Sequence, residues 1–241
     1  MKHFKFLAPV AIGLSMATLL FSCNSADEKK TEETTTDSTT VKAPEPPPAK
    51  PANLMMVTHK VANFGKWIVG YEAGDSMRLA YGLHNFVLAR GVKDSNMVMV
   101  VVKMDDAAKA KEFAASPSLK DAMKKSGVVG MPTISYIDVQ MMDETPNTAS
   151  TRVMIKHKVK DWDAFRKAFD SHKQMRTDAA LTDRVLGYEV GDNTNASIVL
   201  IVNDMKKAED FMKSEDLKKK MEEAGVVGPP SFFYFTIAKK Y

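Results

Sequence analysis

The feature that most constrains this chain is that most of it is written twice. His59-Lys60-Val61 recurs as His157-Lys158-Val159, an offset of 98 residues. With no gap, the same offset lays Met77-Arg78 on Met175-Arg176 and Val87-Leu88 on Val185-Leu186. It also lays Ser116 with Leu119-Lys120 on Ser214 with Leu217-Lys218, and Gly127-Val128-Val129-Gly130 with Pro132 on Gly225-Val226-Val227-Gly228 with Pro230. Two copies at this period are too few and too long for a solenoid, so each copy is a small domain or half of one.

Every local pattern can therefore be read twice. In the second copy Val153, Ile155, His157 and Val159 alternate onto one face, which predicts a strand. Asp161 then stands as an N-cap before Trp162, Phe165, Phe169, His172 and Arg176, whose spacing puts all five on one helical stripe. Two β-rich segments follow, 184–190 and 196–202, around the turn composition Gly191-Asp192-Asn193. Asn203 or Asp204 caps a helix carrying Ala208, Phe211, Leu217 and Met221 that stops at Gly225, and 232–237 is a last apolar strand. The first copy repeats this order over 55–61, 64–81, 86–92, 97–104, 106–126 and 133–139.

The order βαββαβ predicts an α+β fold: two tandem ferredoxin-like repeats, each an antiparallel four-stranded sheet with both helices on one face. Because the strands are apolar on both sides, the bare face of each sheet needs a cover, and the other repeat is the nearest one. The two sheets are expected to pack together as one intramolecular dimeric α/β barrel, a monomer with an internal pseudo-two-fold.

The N-terminus reads as an address. Lys2 and Lys5 precede an apolar run from Phe6 to Phe21, the pattern of a secretory leader and short for a membrane span. Leu20-Phe21-Ser22-Cys23 resembles the lipobox of bacterial lipoproteins, which implies that Cys23 is acylated and holds the chain on a lipid bilayer. Asn24 in place of an aspartate after that cysteine implies delivery to the outer membrane, facing the periplasm or the cell surface. Thr, Glu, Lys, Ser and Pro dominate the segment that follows, including Pro46-Pro47-Pro48, the composition of a disordered tether. The expected organisation is a leader over 1–22, lipidated cysteine and tether over 23–53, repeats over 54–143 and 152–241, and a linker over 144–151.

The motif His157-Lys158-Val159-Lys160-Asp161-Trp162, with Phe169, His172, Arg176 and the closing Gly225-Val226-Val227-Gly228-Pro229-Pro230, resembles the dimeric α/β-barrel superfamily. That superfamily includes the antibiotic-biosynthesis-monooxygenase-like and cyclase-like small proteins. The resemblance spans residues 54–241 and implies two ferredoxin-like units paired sheet to sheet, with ligands between sheet and helices or inside the barrel. It fixes fold better than chemistry, since members include cofactor-free monooxygenases, haem-degrading enzymes and isomerases. The first copy departs from the pattern, with Gly74 at the place of His172 and Tyr71 at the place of Phe169.

Candidate chemistry follows from side-chain type. His172 and Arg176, one turn apart on a packing stripe, suit an anionic or enolic ligand with His172 as proton acceptor, and Tyr188 offers a phenol. Arg176 and its counterpart Arg78 also suit a role in fastening the helix to a carboxylate or to strand-end carbonyls, and that role comes first for the arginines. His59 and His157 share strand faces with valines, as satisfied core or strand-end histidines or else as ligand-binding residues, and Trp67 and Trp162 suit an aromatic wall or plain core.

Several classes lose their footing. The 34 basic and 30 acidic residues, for a net charge of +4, make no case for nucleic acid. A single cysteine excludes a disulfide framework and a Cys-rich zinc module. The 17 methionines show no His-Met clustering at metal-ligand spacing, so no metal and no cofactor is expected. No phosphate loop, HExxH or GxSxG is present. Three readings remain: a lipid-anchored module binding a small apolar or aromatic molecule, a cofactor-independent monooxygenase or isomerase, and a non-catalytic envelope interaction protein.

Overall fold

A computed structural model describes residues 50–241; the expected leader, Cys23 and all but the last residues of the tether lie outside the described residues. Alternating apolar residues become strands and the 3.6-residue stripes become helices, each helical stretch in two pieces. The first repeat runs β1 (Asn53–Val61), α1 (Phe64–Ala73), α2 (Asp75–Leu79), β2 (Leu83–Gly91), β3 (Met97–Met104), α3 (Ala107–Ala115), α4 (Pro117–Lys125) and β4 (Val128–Met142). The second runs β5 (Thr151–Val159), α5 (Trp162–Ser171), α6 (Lys173–Asp178), β6 (Leu181–Glu189), β7 (Asp192–Val202), α7 (Met205–Met212), α8 (Glu215–Glu223) and β8 (Val226–Lys240).

The helix breaks differ from the continuous stripes expected. Gly74 (φ −87°, ψ 12°) and His172 (φ −93°, ψ 15°) flatten the backbone at equivalent places, so Arg78 and Arg176 leave the preceding helix on a new axis. Ser116 and Ser214 are extended (ψ 139° and 141°) and each restarts a helix, its Oγ accepting from the N–H three residues on at 3.2 Å. Pro117 enforces the first of these breaks by disfavouring a helical Ser116; in the second repeat the serine cap alone marks it. Asn63, Asp106, Asp161 and Asp204 cap α1, α3, α5 and α7 through their side chains, each worth about 1 kcal/mol, whereas α2 and α6 start without a side-chain cap.

The strands form one antiparallel sheet closed on itself in the order β1-β3-β2-β8-β5-β7-β6-β4. Advancing four places around this ring carries each strand onto its copy, so the pseudo-two-fold runs along the barrel axis. Closure depends on the long last strand of each repeat. β4 pairs with β1 through its first part and with β6 over Ile137–Met142. β8 likewise pairs with β5 and then, over Phe235–Lys240, with β2. That second engagement carries both strands past the 139 and 237 expected from sequence, their early starts at 128 and 226 extend the pairing with β1 and β5, and among the described residues no strand edge is left open.

Three apolar clusters result. One lies under the helices of each repeat, around Trp67, Leu83 and Phe113 in the first and around Phe165, Leu186 and Leu200 in the second. The third fills the lumen and draws on both repeats: Leu54, Met56, Met99, Val101, Ile137 and Val139 from the first meet Met154, Val185, Val199 and Phe235 from the second. At about 1.5–3 kcal/mol per buried large aliphatic side chain, this shared lumen makes neither sheet face expendable.

Candidate site between sheet and helices

The same wall in the two repeats has opposite outcomes. In the second, a cavity of about 500 Å³ opens between the sheet and α5–α8. Its floor is Ile155, His157, Ile198 and Leu200, its walls include Phe165, Phe169 and Phe211, and its mouth carries the exposed Lys213, Lys218, Glu222 and Pro229. In the first repeat the equivalent space shrinks to about 90 Å³. Trp67 stands where Phe165 does and Tyr71 where Phe169 does; the two rings stack at 5.3 Å, and the Tyr71 hydroxyl donates to Asn85 at 2.6 Å. Gly70 and Ser126 replace Ala168 and Ala224, and a Cβ on Gly70 would overlap the Ser126 side chain, so α1 sits closer to the end of α4 than an alanine would allow.

His157 is 7% exposed and faces this cavity from β5, with its ring 5.9 Å from that of Phe165. Its Nδ1 has no hydrogen-bond partner among the described residues, and burial pushes its pKa down to about 4. A neutral imidazole with an unanswered polar atom costs about 1–3 kcal/mol, a cost that a polar group on a ligand would offset. His59, its counterpart, lies edge-on to Trp67 at 5.5 Å with both ring nitrogens unpartnered and is likewise pushed to about 4 by burial.

Arg176 and His172 also line the cavity, but their situations differ. Arg176 binds Asp183 through two parallel bonds of 2.6 and 2.7 Å, donates from Nη1 to the Phe169 carbonyl at 2.6 Å, and stacks on the Phe169 ring at 3.5 Å. Its guanidinium is thereby committed to tying α5 and α6 to β6. His172 is half-buried at the α5–α6 break. In the first repeat Arg78 repeats the fastening with an amide: Nε donates to Asn85 at 2.9 Å, Nη1 to the Tyr71 carbonyl at 2.7 Å, and Asp75 supplies the carboxylate at 3.5 Å.

The structure thus brings His157, His172 and Arg176 to one cavity. Tyr188 and Trp162 pack edge to face at 4.7 Å outside its wall, and His59, Trp67 and Arg78 belong to the closed space of the first repeat. Of the differences that open one cavity and close the other, Tyr71 at the place of Phe169 stands out in the sequence as a departure of the first copy, whereas Trp67 for Phe165 and Gly70 for Ala168 do not, though both are visible in the repeat alignment. Among the described residues no three His, Cys, Asp or Glu side chains converge as a metal site, and no helix is long and apolar enough to cross a membrane.

Neither a family profile nor the sequence of a curated protein matches the chain. Solved structures do. A protein from Lactobacillus acidophilus NCFM, provisionally described as a monooxygenase, aligns over 78% of this chain and 95% of its own with a TM-score of 0.51 and 12% identity. An anthrone oxidase-like protein aligns over 79% and 92% with a TM-score of 0.52 and 10% identity. A provisionally described chlorite dismutase aligns over 78% and 96% with a TM-score of 0.52 and 12% identity. At these identities the likeness is one of fold: an α+β chain whose eight antiparallel strands close in a ring.

Proposed function

We propose that this chain is a lipid-anchored envelope protein of the dimeric α/β-barrel type that binds a small apolar or aromatic molecule between the sheet and helices of its second repeat. The observation that carries the reading is the asymmetry of the two equivalent spaces, about 500 Å³ against about 90 Å³. The larger lies in the ordinary range for small-molecule sites, about 300–1,000 Å³, and is mostly apolar with one unpartnered buried imidazole. Simple core packing would have closed both.

Binding is favoured over proton abstraction. An imidazole held near pKa 4 is a weak base at neutral pH, better suited to one directional hydrogen bond than to deprotonating carbon. The cofactor-independent monooxygenase or isomerase reading rests on His172, which borders the same cavity and is half-exposed.

The test is native mass spectrometry of protein purified from its own host, followed by the Phe165→Trp/Phe169→Tyr variant, which installs the residues of the first repeat. A co-purifying small molecule that disappears in the variant is expected; a molecule retained undiminished by the variant, or an empty wild-type protein that binds no aromatic probe, would reject the site. Anchoring is tested separately by incorporation of a labelled fatty acid, which Cys23→Ala should abolish.

A further inference from the structure

The lumen of the barrel opens at one end, apart from the sheet–helix cavity above, and at this opening the two repeats present unlike side chains. At the end of the barrel where β1, β2, β5 and β6 begin, a pocket of about 220 Å³ is lined by both repeats. The pseudo-two-fold relates Leu54 to Arg152 and Phe86 to Arg184. At these two positions the first repeat therefore presents apolar side chains and the second two guanidinium groups; the exposed Glu144 and Lys240 also line the opening, and Met56, Met99, Val101 and Phe235 form the apolar interior behind them.

Neither arginine has a carboxylate in ion-pair contact among the described residues. Arg152 is only 6% exposed, and its contacts among the described residues are carbonyls: Nη1 donates to Ala149 at 2.5 Å and to Thr151 at 3.2 Å. Arg184 donates to the Thr145 carbonyl at 2.7 Å. The nearby acids are otherwise engaged. Glu144 pairs with Lys103 at 3.4 Å, and Asp143, which feels the Arg184 charge, accepts from the Thr145 N–H at 2.8 Å. Burial first, and the Arg184 charge second, disfavour the charged form of Arg152. Two cations share an opening with no carboxylate in ion-pair contact among the described residues, an arrangement that favours a bound anion.

We propose that this end of the lumen is a binding site for a small carboxylate with an apolar tail, the carboxylate held by Arg152 and Arg184 and the tail lying against Leu54, Met56 and Met99. A guanidinium presents a planar fork that matches a carboxylate. The apolar walls select a tail over a fully hydrated anion, and the volume, equal to about seven waters at roughly 30 Å³ each, limits the ligand to a short chain or single ring. The site is independent of the proposed function, since no residue lines both cavities.

Methionines report which site is filled. Met56, Met99 and Met142 line the lumen opening and Met212 and Met221 the sheet–helix cavity. The experiment titrates octanoate, 1-octanol and inorganic phosphate into the leaderless chain labelled with ¹³C-methyl methionine. Octanoate should shift the lumen methionines and leave Met212 and Met221 in place. Octanol should bind at least about tenfold more weakly, the loss expected for a missing charge-assisted hydrogen bond. Arg152→Leu/Arg184→Phe, which installs the residues of the first repeat, should lose octanoate affinity by at least the same factor. Arg184→Gln, a change at a half-exposed position, provides a milder second variant and should weaken binding in the same direction. Shifts confined to Met212 and Met221, equal binding of octanol, phosphate competing as well as octanoate, or variants with unchanged affinity would each overturn the proposal.

Discussion

Replacing Asp183 by asparagine should be among the most damaging single-atom changes in the protein. Asp183 is 14% exposed at its side chain and Arg176 8%, and two bonds of 2.6 and 2.7 Å join them. The amide keeps one acceptor but removes the charge, leaving a buried guanidinium with neutral partners only, the amide oxygen and the Phe169 carbonyl and ring. Unpairing a buried charge costs about 3–5 kcal/mol, and the retained acceptor places Asp183→Asn near about 3 kcal/mol. For a fold of this size that is a fall in Tm of about 10 °C. The first repeat supplies the rescue. There Asn85 occupies the equivalent position, and Asp75, the counterpart of Lys173, donates the missing carboxylate to the network through a 2.5 Å bond from Asn85. Lys173→Asp/Asp183→Asn should therefore recover at least about half of the loss. Urea unfolding of the wild type, both single variants and the double variant measures the cycle. An Asp183→Asn cost under about 1 kcal/mol, or no recovery in the double variant, would refute the account of Arg176 as a helix fastener.

Other outcomes follow from the same geometry. His59 and His157 both titrate near 4 in the fold against an ordinary value near 6.5, so the unfolded chain takes up protons first and stability is lost as pH falls from about 6.5 to about 4. The loss should approach about 3 kcal/mol per histidine, and His59→Phe should flatten the dependence in pH-resolved unfolding. Gly187 sits at the β4–β6 junction where an added Cβ would overlap the Asp138 backbone carbonyl; Gly187→Ala should destabilise by about 1–3 kcal/mol or more, read by thermal melting. Asp161→Ala, which removes the bond accepted from the Ala164 N–H at 2.7 Å, should cost about 1 kcal/mol with no change in ligand binding.

Much of this architecture was legible because the chain states it twice. The alternation of Val153, Ile155, His157 and Val159 and the Asp161 cap fall where the periodicity puts them. What escaped was whatever depends on partners distant in sequence. The stripe from Trp162 to Arg176 runs through His172 without a change of period, yet the backbone breaks there because Arg176 must turn to reach Asp183. The last residues of β4 and β8 follow from pairing with the opposite repeat, which no local pattern records. At the site, His172 and Arg176 do border the cavity, though from the α5–α6 break and from α6 and not from one continuous stripe, while Tyr188 packs on Trp162 away from the cavity lining. The pair Arg152 and Arg184 drew no notice, since only the barrel register turns both toward one opening.

Hydrogen–deuterium exchange on the intact protein tests the closed ring most directly, followed by mass spectrometry of peptides covering 137–142 with 185–189 and 87–91 with 235–240. If the repeats share one continuous sheet, these junction segments exchange as slowly as the central strands β1 and β5. Exchange there within seconds, with β1 and β5 still protected, would mean that each repeat keeps its own open edge and that the barrel does not exist in solution.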